Sequence, residues 1–182
     1  MKYLILFRGI NVGGKHIVKM DSLKNMLESL NLKEIKTYLQ SGNAIVESDK
    51  SEQDLIALIS KSFVDNFGFQ SEIKIRSFDE MNFIINNLPF SETEVENAIL
   101  KDPKVTHLYV YFLNEAPFLK TIETLNEKDI SEDKVEIGKR EIYLLCNQSI
   151  RKSKLAIQIS KNYVNATARN WKTVNKLVKI MS

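Results

Sequence analysis

The stretch RGINVGGKH, residues 8–16, holds three of the chain's six glycines, Gly9, Gly13 and Gly14, beside Arg8, Lys15 and His16. Glycine takes positive φ at little steric cost, so such a run can turn backbone N–H groups toward an anion with no side chain in the way. Lys19 follows closely and adds charge, and Asn11 adds a neutral donor and acceptor. The chemistry this favours is the cradling of a small anionic or phosphorylated ligand. Gly9, Gly14 and Lys15 also approach the triphosphate-binding pattern GxxxxGK[ST], but His16 stands where a magnesium-holding hydroxyl belongs. In that motif a helix opens at the lysine, whereas here the first capping signals are Asp21 and Ser22, so an NTP-hydrolysing loop is disfavoured. His16 by itself reads as a surface residue rather than a base. A tight strand-to-helix connection with solvated cations is the reading that needs no ligand.

Two further groups belong with the loop or compete with it. Ser41, Gly42 and Asn43 interrupt two strand-like runs and supply a second glycine with two polar neighbours. Near the other end of the chain, ARNW (168–171) places Arg169 and Asn170 before the only tryptophan. Asn170 suits the cap of a terminal helix, and Arg169 suits an anionic ligand. RKSK (151–154) sets three cations where a helix should begin, against the preference of its dipole, which fits either an acidic partner or plain solvated charge. His16, His107 and Cys146 give no ligand-spaced cluster, so no metal and no cofactor is expected. No nucleophile, base and orienting group fall together by spacing, and a reaction is not legible.

The elements that must position these residues alternate in type. KYLILFR (2–8) reads as a buried strand, and a helix capped by Asp21 or Ser22 carries Leu23, Met26, Leu27 and Leu30. IKTYLQ (35–40) and AIVES (44–48) flank SGN as a hairpin, and a helix from about 52 ends at Gly68. SEIKIRS (71–77) alternates as a half-exposed strand, and FDEMNFIINNL follows as a short helix. The second half repeats the order. THLYVYFL (106–113) is a strand, EAPFLKTIETL a helix with Pro117 in its first turn, and KVEI with EIYLLC a hairpin around Gly138. A helix capped by Ser153, the strand VNATAR (164–169) and the amphipathic helix WKTVNKLVKIM complete it. The expectation is an α+β protein of two tandem ferredoxin-like halves, each β-α-β-β-α-β plus a helix, a duplication of pattern without residue identity. The halves would cover 1–88 and 106–182, joined by a polar link at 89–105. In that order the loop after the first strand and the first hairpin leave the sheet at one end. Arg8, Gly9, Asn11, Gly13, Gly14, Ser41, Gly42 and Asn43 then share a rim, with Arg169 and Asn170 as candidates from the other half.

Composition bounds the partners. With 182 residues, 43% hydrophobic and 27% charged, the chain has the make-up of a globular protein. Apolar runs such as YLILF are too short to span a membrane or to serve as a signal peptide, and the lone Cys146 reads as a core residue, so a reducing cytoplasm is expected. The net charge of +3 is uneven: residues 139–182 carry ten cations against Glu141 alone. That basic quarter supports a second reading, a nucleic-acid-binding module in which Tyr109, Tyr111 and Tyr143 stack on bases. The same tyrosines could instead be buried where the halves pack, and GKREIYLL lacks the aromatic ribonucleoprotein signature. A third reading docks the lysine stripe of the last helix, Lys172, Lys176 and Lys179, on an acidic protein.

RGINVGGK, TYLQSGNAIVES and TARNWKTVNKL, in this order and over nearly the full length, resemble a bacterial family known only as an uncharacterised domain of unknown function. The resemblance implies a cytoplasmic bacterial protein with an α+β fold. It implies a signature at Arg8, Gly9, Asn11, Gly13, Gly14, Ser41, Gly42, Asn43, Ser153, Thr167, Arg169, Asn170 and Trp171, and it supplies no activity. Lys15 and His16 stand outside that signature.

Overall fold

The computed structural model describes residues 1–119, 121, 124 and 132–182. The elements run β1 (Lys2–Phe7), α1 (Met20–Ser29), β2 (Lys33–Thr37), β3 (Asn43–Glu47), α2 (Glu52–Phe67), β4 (Ile73–Ser77) and α3 (Phe78–Asn86). They continue with α4 (Glu92–Lys101), β5 (Leu108–Phe112), β6 (Lys134–Ile137), β7 (Glu141–Leu145), α5 (Lys154–Asn162), β8 (Thr167–Asn170) and α6 (Trp171–Met181). The result is a mixed α+β protein with two four-stranded antiparallel sheets, ordered β2-β3-β1-β4 and β6-β7-β5-β8, and six helices among the described residues. The chain divides into two compact units, Met1–Phe83 with Lys176–Ser182, and Ile84–Asn175. No helix among the described residues is long and apolar enough to cross a membrane.

In the first unit, period-two alternation sends Tyr3, Ile5 and Phe7 of β1, Ala44 and Val46 of β3, and Ile73 and Ile75 of β4 to one face. There they pack on Leu23, Met26 and Leu27 of α1 and Leu55, Ile59 and Phe63 of α2. Ser51 caps α2 by accepting from the Asp54 N–H at 3.1 Å, and Gly68 ends it at φ 75°. The start of α1 differs from expectation. Lys19 is its N-cap, with no side-chain hydrogen bond, and Asp21 sits in the first turn, where its charge complements the helix dipole instead. β4 differs more. Its alternation promised a half-exposed strand, yet Lys74 is 1% and Arg76 0% exposed. They share the second face of the sheet with Leu6 and Leu4, their partners in register, which are buried too. Alternation separates two faces of a strand without saying that the polar one meets water. Burial lowers the pKa of Lys74; Glu72, 3.3 Å away, opposes the shift, while Arg8 and Arg76 add to it.

In the second unit, Tyr111, Leu113, Val135, Ile142, Leu144 and Cys146 pack on Leu155, Ala156 and Ile159 of α5, with Tyr109 against the same cluster. Burial raises the pKa of the Tyr111 hydroxyl, which is bonded to Ser160. Tyr143 is buried on the opposite sheet face. Tyr111 and Tyr143 are thus buried packing residues, while Tyr109 is half-buried. The polar link carries α4, opened by a full capping box: Ser91 Oγ accepts from Glu94 N–H at 3.3 Å, and the Glu94 carboxylate accepts from Ser91 N–H at 2.8 Å. Ser153 caps α5 through Ala156 N–H at 3.0 Å. Of the helix expected over EAPFLKTIETL, residues 119, 121 and 124 are helical and Pro117 precedes them rather than sitting in the first turn, while residues 120, 122, 123 and 125 lie outside the described residues.

Candidate anion-binding hairpin

RGINVGGKH folds as a miniature hairpin rather than as a plain connection. Gly13 and Gly14 sit at φ 59° and 74°, and Lys15 N–H donates to Val12 O at 3.1 Å. Positive φ at both central residues is the mark of the primed turns, which here demand glycine for conformation alone. One rung further back, Asn11 N–H donates to His16 O at 3.1 Å. No helix begins until Met20, so the triphosphate-loop geometry is absent from this stretch.

The first-strand loop and the first hairpin meet, as the topology requires. Asn11 is the clasp: its Nδ2 donates to Gln40 O at 2.8 Å and to Val18 O at 2.9 Å, and its Oδ1 accepts from Val18 N–H at 2.8 Å. Phe7 N–H donates to Gly42 O at 2.8 Å. Gly42, at φ 74°, is pressed so close that a Cβ would lie 2.8 Å from Ile10 Cδ1 and 2.9 Å from Phe7 Cβ. Asn43 is fully buried and donates to Tyr38 O at 2.7 Å and Ser41 Oγ at 3.0 Å. A third segment joins them, with Arg8 N–H donating to Glu72 O at 2.9 Å and Ser71 Oγ donating to Arg8 O at 2.9 Å.

The candidate residues therefore sort by their place in the rim. Gly42, Asn43 and Asn11 hold the loops together. Arg8, Gly9, Gly13, Gly14 and Ser41 are exposed, and so are Lys15 and Lys19. Among the described residues, the N–H groups of Gly13 and Gly14 have no hydrogen-bond partner. No acidic residue precedes Asp21 in the sequence, and Glu72, whose carbonyl accepts from Arg8 N–H, pairs through its carboxylate with Lys74 at 3.3 Å. Arg169 and Asn170 belong to the second unit. There Asn170 Oδ1 accepts from Thr173 N–H at 2.8 Å, capping α6, and Arg169 Nη1 donates to Ala168 O at 2.9 Å. Burial lowers the Arg169 pKa to about 10.

Two features escaped the sequence. His16 is not merely a surface side chain: its ring stacks on Phe69, centroids 4.3 Å apart and planes 12° apart, with Nδ1 3.3 Å from Gly9 O. Phe69 meets the buried Phe63 edge-on. Nothing in the spacing of residues 16 and 69 announces that pairing. Val12 and Ile17 are also exposed beside the tip, at 67% and 64%. Two clefts lie elsewhere. One of about 440 Å³ runs along Glu94, Lys101, Lys134 and Asn147 and is bridged by Lys134–Glu94 at 2.7 Å and by the Lys101–Glu132 pair. Another, of about 380 Å³, is lined by Met1, Asn31, Glu47 and Lys50. Neither includes a residue of the glycine hairpin. Among the described residues no group of three or more metal-ligating side chains gathers.

A family model described as a protein of unknown function, DUF1697, matches residues 1–143. Among solved structures, a conserved bacterial protein from Streptococcus pneumoniae is 22% identical, with a TM-score of 0.73, over 100% of this chain and 98% of that one. At that identity the likeness is one of fold. No curated protein matches the chain.

Proposed function

The chain belongs to this family of unknown function, and for it we propose that the glycine hairpin binds a small anionic, phosphorylated ligand. One observation carries the reading: two adjacent exposed amides, Gly13 and Gly14, without protein partners and flanked by Arg8, Lys15 and Lys19. Backbone N–H groups of this kind attract anions with no charge to desolvate at the tip itself. The Asn11 clasp holds the hairpin on the rim of the first sheet, so its amides are presented on a fixed support.

The architectural reading is that each half is a ferredoxin-like β-α-β-β-α-β unit repeated in tandem, near residues 1–88 and 106–182, in a cytoplasmic protein. Its support is the matching strand orders of the two sheets.

The test is thermal denaturation of the full chain against inorganic phosphate, pyrophosphate and a panel of phosphorylated metabolites. A saturable rise in Tm is expected from at least one compound, lost on Gly13→Val and weakened on Lys15→Ala. A panel with no saturable shift overturns the reading. The nucleic-acid reading keeps the basic last quarter as its support, with Tyr111 and Tyr143 buried. Salt-dependent binding of an oligonucleotide, unaffected by Gly13→Val, would favour it over the hairpin.

A further inference from the structure

We infer that the ligand of the glycine hairpin is a nucleoside phosphate, its base stacked on His16 and its phosphate held at the Gly13–Gly14 amides. This rests on the anion-binding reading and names the part of the ligand that the anion site leaves unaddressed. His16 lies flat on Phe69, 4.3 Å between centroids and 12° between planes, and Phe69 is set edge-on at 5.2 Å against Phe63, which is fully buried. The imidazole is therefore backed by a ring anchored in the core. One of its faces is covered by Phe69 while the residue remains exposed, which leaves the outer face to solvent. A rigid aromatic with one open face is a stacking platform for any base, because every base has a π-face.

The platform adjoins the anion site. Gly14 and His16 are two residues apart, at most about 7 Å along the chain, so one molecule with a planar ring and a phosphate separated by a sugar can meet both. Lys15 lies between them, and Arg8 and Lys19 supply further positive charge. The Nδ1 of His16 lies 3.3 Å from Gly9 O, a hydrogen bond in the tautomer that carries the proton on Nδ1. Inorganic phosphate would use the amides and leave the ring idle; a nucleotide uses both. The same chemistry is offered by a free nucleotide or by one nucleotide of a single strand.

Isothermal titration of the full chain with pyrophosphate, ADP and a short single-stranded oligothymidylate separates these. ADP is expected to bind about 10-fold more tightly than pyrophosphate, the scale of one base–aromatic stack. His16→Ala should erase that ratio while leaving pyrophosphate binding as it was, and His16→Phe should restore it. Circular dichroism and an unchanged pyrophosphate affinity establish that His16→Ala is folded. Tighter, His16-dependent binding of the oligothymidylate supports the stacking site and assigns its base to a strand. Equal affinities for pyrophosphate and ADP, or a ratio that survives His16→Ala, overturn the inference and leave the anion site standing. Failure of all three probes overturns both.

Discussion

Gly13 and Gly42 share the left-handed region of the backbone map but are held there by different constraints. Around Gly13 a Cβ would meet open space, so Gly13→Ala should cost only the conformational penalty, about 1–2 kcal/mol. Gly42→Ala adds a collision with Ile10 and Phe7, about 1–3 kcal/mol of overpacking beyond that penalty. Denaturant titration of the two variants should rank Gly42→Ala clearly as the more destabilised; equal losses would mean that Gly42 is not pressed against β1. Asn11 tests the rim in another way. A carboxylate cannot donate to the Gln40 and Val18 carbonyls. Asn11→Asp should therefore lose about 1–3 kcal/mol and speed amide exchange at Val18. Thr167 points the other way. It is buried, and its Oγ1 has no hydrogen-bond partner among the described residues. Thr167→Val should be neutral or stabilising by up to about 1–3 kcal/mol, and a loss would show that the hydroxyl is satisfied in solution.

At the scale of elements, α4 shows how a helix can be encoded at its end rather than along its length. Ser91 and Glu94 form the capping box, and Glu94 Oε1 also accepts from Lys134 Nζ at 2.7 Å, joining α4 to β6. The Lys134 hydrogen bond, then those from Ser91, lower the Glu94 pKa from 4.5 to about 2. A carboxylate with a depressed native pKa contributes stability that is present above its unfolded pKa and lost as pH falls through the native one. The contribution should therefore be full above about pH 4.5 and fade toward pH 2. Carboxyl NMR titration should find Glu94 well below its ordinary value of 4.5, and Lys134→Ala should move it upward. Ser91→Ala should destabilise by about 1 kcal/mol. A Glu94 titrating at an ordinary value would remove the α4–β6 tie.

For the molecule as a whole, alkaline stability depends on what each core keeps from ionising. Burial raises the Tyr111 pKa from 10.0, with Cys146 adding to the effect. The native state then holds a proton that the unfolded chain releases, so stability should fall as pH rises past about 10. Tyr111→Phe removes that term, and its denaturation midpoint should fall less than the wild type's between pH 9 and pH 11; Arg169 contributes equally to both proteins and cancels. A parallel loss in the two would place Tyr111 in contact with water. The local syntax of the chain determined much of this. Apolar periods marked most of the described elements, Gly68 and Ser153 marked an end and a start, and strand order alone required the loops at residues 9–14 and 41–43 to share a rim. These are consequences of near-neighbour geometry, which spacing records. Tertiary structure decided the rest. It buried Lys74 and Arg76, because alternation does not report what covers a sheet, and it placed Phe69 beneath His16, because a contact across 53 positions leaves no periodic trace.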